Sequence, residues 1–322
     1  MTDKEKFSPV NSLESPRFSG IRTFMRLPHF ESLEVGADVA IYGAPYDTGT
    51  SFRAGARFGP AAIRDASMIL KPYCPLNEVN ITDQLNMMDY GDVNIVPGYV
   101  DDSYQRITNF VKKICQAGII PVGMGGDHSV SLPILRAIVE ERGEPIALLH
   151  FDAHSDTGSS FFGHPHNHGT PFYWALEEGL IIPDKSIQVG IRGPLYNPDA
   201  LNYVREKGVE VITGPELHEL GVQSTVAKIR QRLNGSPVYV SFDIDFLDAA
   251  YAPGTGTPEI GGFTTHEALQ IMYRSCLGQN LIGMDLVEVL PAHDNSAITA
   301  LAGASLMHVF LGSLAKNKEN KK

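Results

Sequence analysis

The stretch Ile146-Ala147-Leu148-Leu149-His150-Phe151-Asp152-Ala153-His154-Ser155-Asp156 decides the reading of this chain. Its first six residues are almost continuously apolar, the pattern of a strand buried on both faces, and such strands belong to parallel sheets covered by helices on either side. The polar residues that follow then stand at the carboxyl end of the strand, where open parallel sheets bind ligands. Side chains two apart in extended chain point the same way, so Asp152, His154 and Asp156 can converge on one point.

Working outward, runs of the same kind at 39–42, 119–122, 187–191, 209–212, 238–242 and 281–289 read as further buried strands. Helical spacing falls between them at 103–116, 132–141, 199–207, 225–233, 266–276 and 297–315. The alternation predicts a single α/β domain of three layers, a doubly wound, mostly parallel sheet between two helical layers. The expected organisation is an N-terminal arm over 1–36 with an apolar patch at Ile21, Phe24, Met25 and Leu27, a catalytic domain over 37–316 and a frayed tail over 317–322.

Composition narrows the class. With 43% hydrophobic and 20% charged residues the chain can bury a large core, which excludes disorder. No apolar run approaches the roughly 20 residues of a membrane span. The N-terminus lacks a signal-peptide pattern, and Cys74, Cys115 and Cys276 have no disulfide or metal spacing, so a reducing, cytoplasmic setting is expected. A net charge of −11 argues against nucleic-acid or anionic-membrane partners and favours a cationic substrate. Neither Gly123–Gly126 nor 254–262 has the spacing of a nucleotide loop.

Three strand ends gather metal-type side chains. Besides Asp152, His154 and Asp156, the run 238–242 leads into Asp243-Ile244-Asp245, and 119–122 leads through Gly123-Met124-Gly125-Gly126-Asp127 to His128. Taken singly, each aspartate reads as a turn or cap residue and His128 as a satisfied core histidine; His150 reads as buried, and His164 and His166 as solvent-exposed loop residues. Together, four carboxylates in one place demand positive charge. Two divalent ions balance them, and an oxygen-rich set with two imidazoles suits Mn²⁺, or else Ni²⁺, Co²⁺ or Fe²⁺. Paired ions that lower the pKa of a shared water point to metal-assisted hydrolysis.

Gly125-Gly126-Asp127-His128-Ser129, His150-Phe151-Asp152-Ala153-His154-Ser155-Asp156 and Ser241-Phe242-Asp243-Ile244-Asp245-Phe246-Leu247-Asp248 resemble the three signature motifs of the ureohydrolases, the arginase and agmatinase family. Gly55-Ala56-Arg57-Phe58-Gly59-Pro60, His168-Gly169-Thr170, the stretch 252–258 and Asp285-Leu286-Val287-Glu288-Val289 resemble its agmatinase-like branch, and the likeness runs from about Pro16 to Ala315. The resemblance implies one Mn²⁺ on His128, Asp152, Asp156 and Asp243 and a second on Asp152, His154, Asp243 and Asp245. It also implies that Glu288 binds the guanidinium, that His168 shuttles protons, and that the chain forms a homo-oligomer, a trimer or hexamer.

The loop 158–167, Gly-Ser-Ser-Phe-Phe-Gly-His-Pro-His-Asn, has two phenylalanines and no Lys or Arg, so a cationic or neutral tail is expected over a carboxylate. Agmatine, cleaved to putrescine and urea, is the first expectation, with Phe161, Phe162 and Trp174 lining its pocket. A guanidino acid such as 4-guanidinobutanoate would need a cation from elsewhere, Arg192 or a neighbouring chain. Free guanidine would need the aromatic loop and Trp174 to close the pocket. A single-zinc deacetylase has no use for both His128 and Asp156, and a non-catalytic assembly protein would tolerate lost ligands; none is missing.

Overall fold

The computed structural model describes residues 6–321, so the first five residues of the arm and Lys322 of the tail lie outside it. Eight strands form the central sheet: β1 (Val39–Ala44), β2 (Met87–Asp92), β3 (Ile120–Gly125), β4 (Ala147–Phe151), β5 (Ile187–Ile191), β6 (Glu210–Thr213), β7 (Pro237–Asp243) and β8 (Asn280–Val287). They lie in the order β2-β1-β3-β8-β7-β4-β5-β6, and every pairing is parallel. The last two strands of the chain therefore slot between β3 and β4. That places the carboxyl ends of β3, β8, β7 and β4 side by side.

Helices cover both faces. One face packs against α1 (Gly59–Ser67), α6 (Gly214–Leu233), α7 (Thr265–Cys276) and α8 (Ile298–Glu319), with Ile63, Ile229, Ile271 and Phe310 buried. The other packs against α2 (Val100–Gln116), α3 (Ser131–Arg142), α4 (Pro171–Glu177) and α5 (Asp199–Glu206), with Ile107, Leu135, Phe172 and Val204 buried. By length and apolarity α8 could cross a membrane, but 83% of its most apolar window is buried, the pattern of a helix enclosed by its own protein. Its last turn reaches Glu319, and Asn317 is tied to the Cys276 and Gln279 carbonyls, so residues 317–319 do not fray as expected.

The differences from the expected elements have local causes. β2 reads Met-Met-Asp-Tyr-Gly-Asp, which hides an edge strand behind two acids. Buried Asp89 is tolerated because Arg64 grips it with two hydrogen bonds of 2.8 and 3.0 Å, and the Phe24 and Gly91 amides donate to it too. α6 begins at Gly214, eleven residues before its expected start, and Gly221 at φ 69° interrupts it. β8 ends at Val287 because Glu288 turns into the left-handed region at φ 63°. In the arm, Phe24, Met25 and Leu27 are buried while Ile21 is exposed.

α7 opens with a reciprocal capping box: the Glu267 amide donates to Thr264 Oγ1 at 3.1 Å and the Thr264 amide to Glu267 Oε2 at 2.9 Å. Thr264→Ala is expected to lower unfolding stability by about 1 kcal/mol, read from urea denaturation; no change would mean the cap does not anchor α7.

Candidate metal centre and substrate cleft

The chain leaves β3 through Gly125-Gly126, where a side chain on Gly126 would overlap the Tyr46 carbonyl, so only glycine lets the backbone turn and present His128. His128 is fully buried, and its Nδ1 lies 3.0 Å from Asp152 Oδ2, 3.0 Å from Asp156 Oδ2 and 3.2 Å from Asp243 Oδ2. Its other nitrogen fixes the tautomer. Ser241 Oγ donates to Asp285 Oδ1 at 2.6 Å, so it accepts the Nε2–H of His128 at 2.9 Å. Nδ1 is then a bare lone pair facing three carboxylate oxygens, and it has no aligned hydrogen bond. Four lone-pair atoms converging in a buried place fit a cation.

A second set lies beside the first. His154 Nδ1 is 3.0 Å from Asp245 Oδ2 and 3.5 Å from Asp152 Oδ1, and Asp245 Oδ2 is buried without a hydrogen-bond partner. Asp152 thus offers one oxygen to each set. Asp243 offers Oδ2 to the first, while its Oδ1 accepts the Asp245 amide at 2.8 Å. The cluster resists its own charge. Burial and the nearby Asp245 and Asp152 push Asp243 well above the usual carboxylate range. Burial and Asp152 push Asp245 up to about 6. Burial would raise Asp152 as well, but His150, His128 and His154 hold it well below that range. Burial opposes a charged His128 ring, yet Asp152, Asp156 and Asp243 drive its pKa well up. No oxygen is aligned to take that proton, so two divalent cations fit these residues better than one imidazolium.

His150 is satisfied and buried, as expected, but it also has a task. The Gln188 amide donates to its Nδ1 at 3.1 Å, which puts the ring hydrogen on Nε2, and Nε2 donates to Asp152 Oδ2 at 2.8 Å. Although its nitrogen lies near His128 and Asp152, its lone pair faces Gln188, so it orients a ligand rather than acting as one.

Glu288 and His168 sit together. Glu288 Oε1 accepts the His128 amide and His168 Nδ1, each at 3.0 Å; Oε2 is buried with no partner. One oxygen, not two, is therefore free for a guanidinium. Glu288 at φ 63° and Asp156 at φ 51° both hold left-handed backbone that non-glycine residues rarely adopt, so strain is concentrated at this site. His168, buried rather than solvated, also meets Ser51, whose Oγ is 2.7 Å from Nε2.

A cleft of about 1040 Å³ opens above, lined by His154, Asp156, His168 and Asp243 at its floor and by Phe161, Phe162, Tyr173, Tyr196 and Tyr203 among its walls. Trp174 does not line it. Its indole donates to the Pro165 carbonyl at 2.8 Å and packs near His166, holding the loop from behind. His166 is half-buried between Tyr104 and Trp174, whereas His164 is exposed as expected. Among the described residues no lysine or arginine lines the cleft. Arg192 is engaged with backbone carbonyls, including those of Asp245, Leu247, Glu259 and Ile260, and so braces the loops behind the site.

Ser51 and Gln188 escaped the sequence reading, and Ser241 and Asp285 entered it only as motif residues with no task. The signal for Ser241, Asp285 and Gln188 was a polar residue inside an otherwise apolar strand.

The chain is similar to known proteins over most of its length. A profile of the arginase family matches residues 37–312. A guanidinopropionase of Pseudomonas aeruginosa is 46% identical over 96% of this chain and 96% of its own length. A mitochondrial agmatinase of Gallus gallus is 44% identical over 91% of this chain and 85% of its own. The structure of proclavaminate amidino hydrolase from Streptomyces clavuligerus superposes with a TM-score of 0.89 at 41% identity, covering 94% of this chain and all of that one.

Proposed function

The chain belongs to the arginase family, and from that premise we propose that it hydrolyses a guanidino compound to urea and an amine, with agmatine as substrate. The observation that carries the substrate is the cleft wall without a single basic side chain among the described residues. A carboxylate tail would lose its hydration there without a cationic partner, whereas an ammonium tail can be met by carbonyls, hydroxyls and Asp199. At about 1040 Å³ the cleft is also far larger than free guanidine requires.

His128, Asp152, Asp156 and Asp243 would hold one ion and Asp152, His154, Asp243 and Asp245 the other, with Mn²⁺ the proposed metal and two ions per chain. Such ions lower the pKa of water toward neutrality and offset negative charge. The chain's own residues supply the rest. Glu288 Oε2 accepts a guanidinium N–H and fixes the plane of the substrate. His168, pinned by Glu288, supplies the proton that the departing nitrogen needs. Phe161 and Tyr173 cover the methylene tail. The active form is proposed to be a homo-oligomer, a trimer or hexamer.

Guanidino acids are the second reading, since the guanidinopropionase is 46% identical and Ser159, Ser160, Tyr196 and Asn197 put donors on the wall. Urea release by Mn²⁺-loaded and, separately, Ni²⁺-loaded protein from agmatine, 4-guanidinobutanoate, 3-guanidinopropanoate, arginine and guanidine decides between them. Agmatine is expected to show the highest kcat/KM. A guanidino acid in that place would replace the agmatine reading and mean that these wall donors, or a cation from a neighbouring chain, meet the carboxylate.

A further inference from the structure

Ser51 sits in a loop that is strapped down at several points. Asp47 cinches its ends, accepting the Gly55 and Arg57 amides at 2.7 and 3.2 Å and pairing with the Arg57 guanidinium. The Gly49 amide donates to Asp127 at 2.8 Å, and the Gly49 carbonyl accepts the His168 amide at 3.0 Å. The loop is thereby held against His168, and Ser51 lines the cleft. Two of its groups meet the same ring nitrogen: the Ser51 amide donates to His168 Nε2 at 3.0 Å, and Oγ lies 2.7 Å from it. On its other side Nδ1 lies 3.0 Å from Glu288 Oε1.

We propose that Ser51 is the outer member of a Glu288–His168–Ser51 proton relay, and that its hydroxyl, not the imidazole, delivers the proton to the leaving amine. This deepens the hydrolase reading and rests on it for the identity of the acceptor. The step balances as follows. Nε2–H of the charged ring passes its proton to Ser51 Oγ, and the Ser51 Oγ–H passes to the substrate nitrogen. The C–N bond breaks with its electron pair on that nitrogen, which leaves as an amine, and His168 ends neutral.

Both protonation states of the ring have a partner waiting. The neutral ring, with its hydrogen on Nδ1, accepts the Ser51 amide at Nε2; in the charged ring Nε2–H donates to Ser51 Oγ and the amide gives up its acceptor, a cost that favours return of the proton through Oγ. The groups that set the balance are Glu288, Asp127 and Asp156. Burial opposes the charge, but Glu288 first, then Asp156 and Asp127, push His168 up to about 9. A guanidinium on Glu288 Oε2 offsets that pull, which readies the ring to release its proton when substrate is in place.

Ser51→Ala in the Mn²⁺-loaded enzyme is expected to lower kcat about tenfold with KM little changed, and to move the alkaline limb of the kcat profile to lower pH, since the charged ring loses its acceptor. Ser51→Thr should restore most of the rate. An unchanged kcat, or a loss shared by KM with the limb unmoved, overturns the relay. Ring-nitrogen NMR of ¹⁵N-histidine-labelled, Zn²⁺-loaded protein, with His168 assigned through His168→Asn, tests it without substrate. Above pH 9.5 the neutral ring is expected to carry its hydrogen on Nδ1. A hydrogen on Nε2 instead refutes the relay. Failure of the wild type to cleave any guanidino compound refutes the hydrolase reading and leaves the NMR result to judge the ring's arrangement.

Discussion

Asp152→Ala is expected to remove both proposed metals at once: after equilibration with Mn²⁺ and desalting, the variant should retain fewer than one ion per chain where the wild type should hold about two, and urea release should fall by roughly 10³-fold or more. The reason is the division of labour within one carboxylate, whose Oδ2 is 3.0 Å from His128 Nδ1 and whose Oδ1 is 3.5 Å from His154 Nδ1. Asp156→Ala is the control, because Asp156 approaches only His128 and its loss should cost one ion. Removing Asp152 also relieves like-charge repulsion on Asp243 and Asp245, so circular dichroism should show an intact fold. Retention of two ions by Asp152→Ala would overturn the shared-ligand arrangement.

Glu288→Gln should lower kcat/KM by about 10- to 150-fold, the equivalent of losing one charge-assisted hydrogen bond of about 1.5–3 kcal/mol. Glutamine keeps an oxygen for the His128 amide but replaces the free carboxylate oxygen that a guanidinium would seek. Metal content should stay unchanged, since Glu288 belongs to neither donor set. Unaltered kinetics, or loss of metal together with activity, would refute its role as the guanidinium anchor.

The strands that carry the site were legible in the sequence because each is a largely apolar run that leads into an acid or a histidine. The same rule hid β2, where Asp89 makes sense only once Arg64 of α1 is folded onto it. The metal-type residues were legible through spacing, since alternate positions beyond a strand share a direction. Ser51 was not: it stands 117 residues from His168, in a loop whose shape comes from Asp47 and Asp127. Trp174 was misplaced for a related reason, because its helix turns the indole behind the loop and gives Tyr173 to the cleft. Second partners such as Asp285 for Ser241, and Gln188 for His150, depend on strand register, which apolar runs do not specify.

The insertion of β7 and β8 between β3 and β4 sets a timetable for the chain. A ribosome that has released the first 236 residues has supplied His128, Asp152, His154 and Asp156 but neither strand that belongs between them, so β3 and β4 each wait with an open edge. Asp243 and Asp245 arrive next, and Glu288, 160 residues after His128, comes last. A metal held in part by Asp243 and Asp245 could bind only late in the life of the polypeptide, and closure of the sheet must await contacts of very long range, the class that makes folding slow. Until synthesis passes β8, those two edges lack the strands that finally cover them, the kind of exposed edge that invites pairing with another chain.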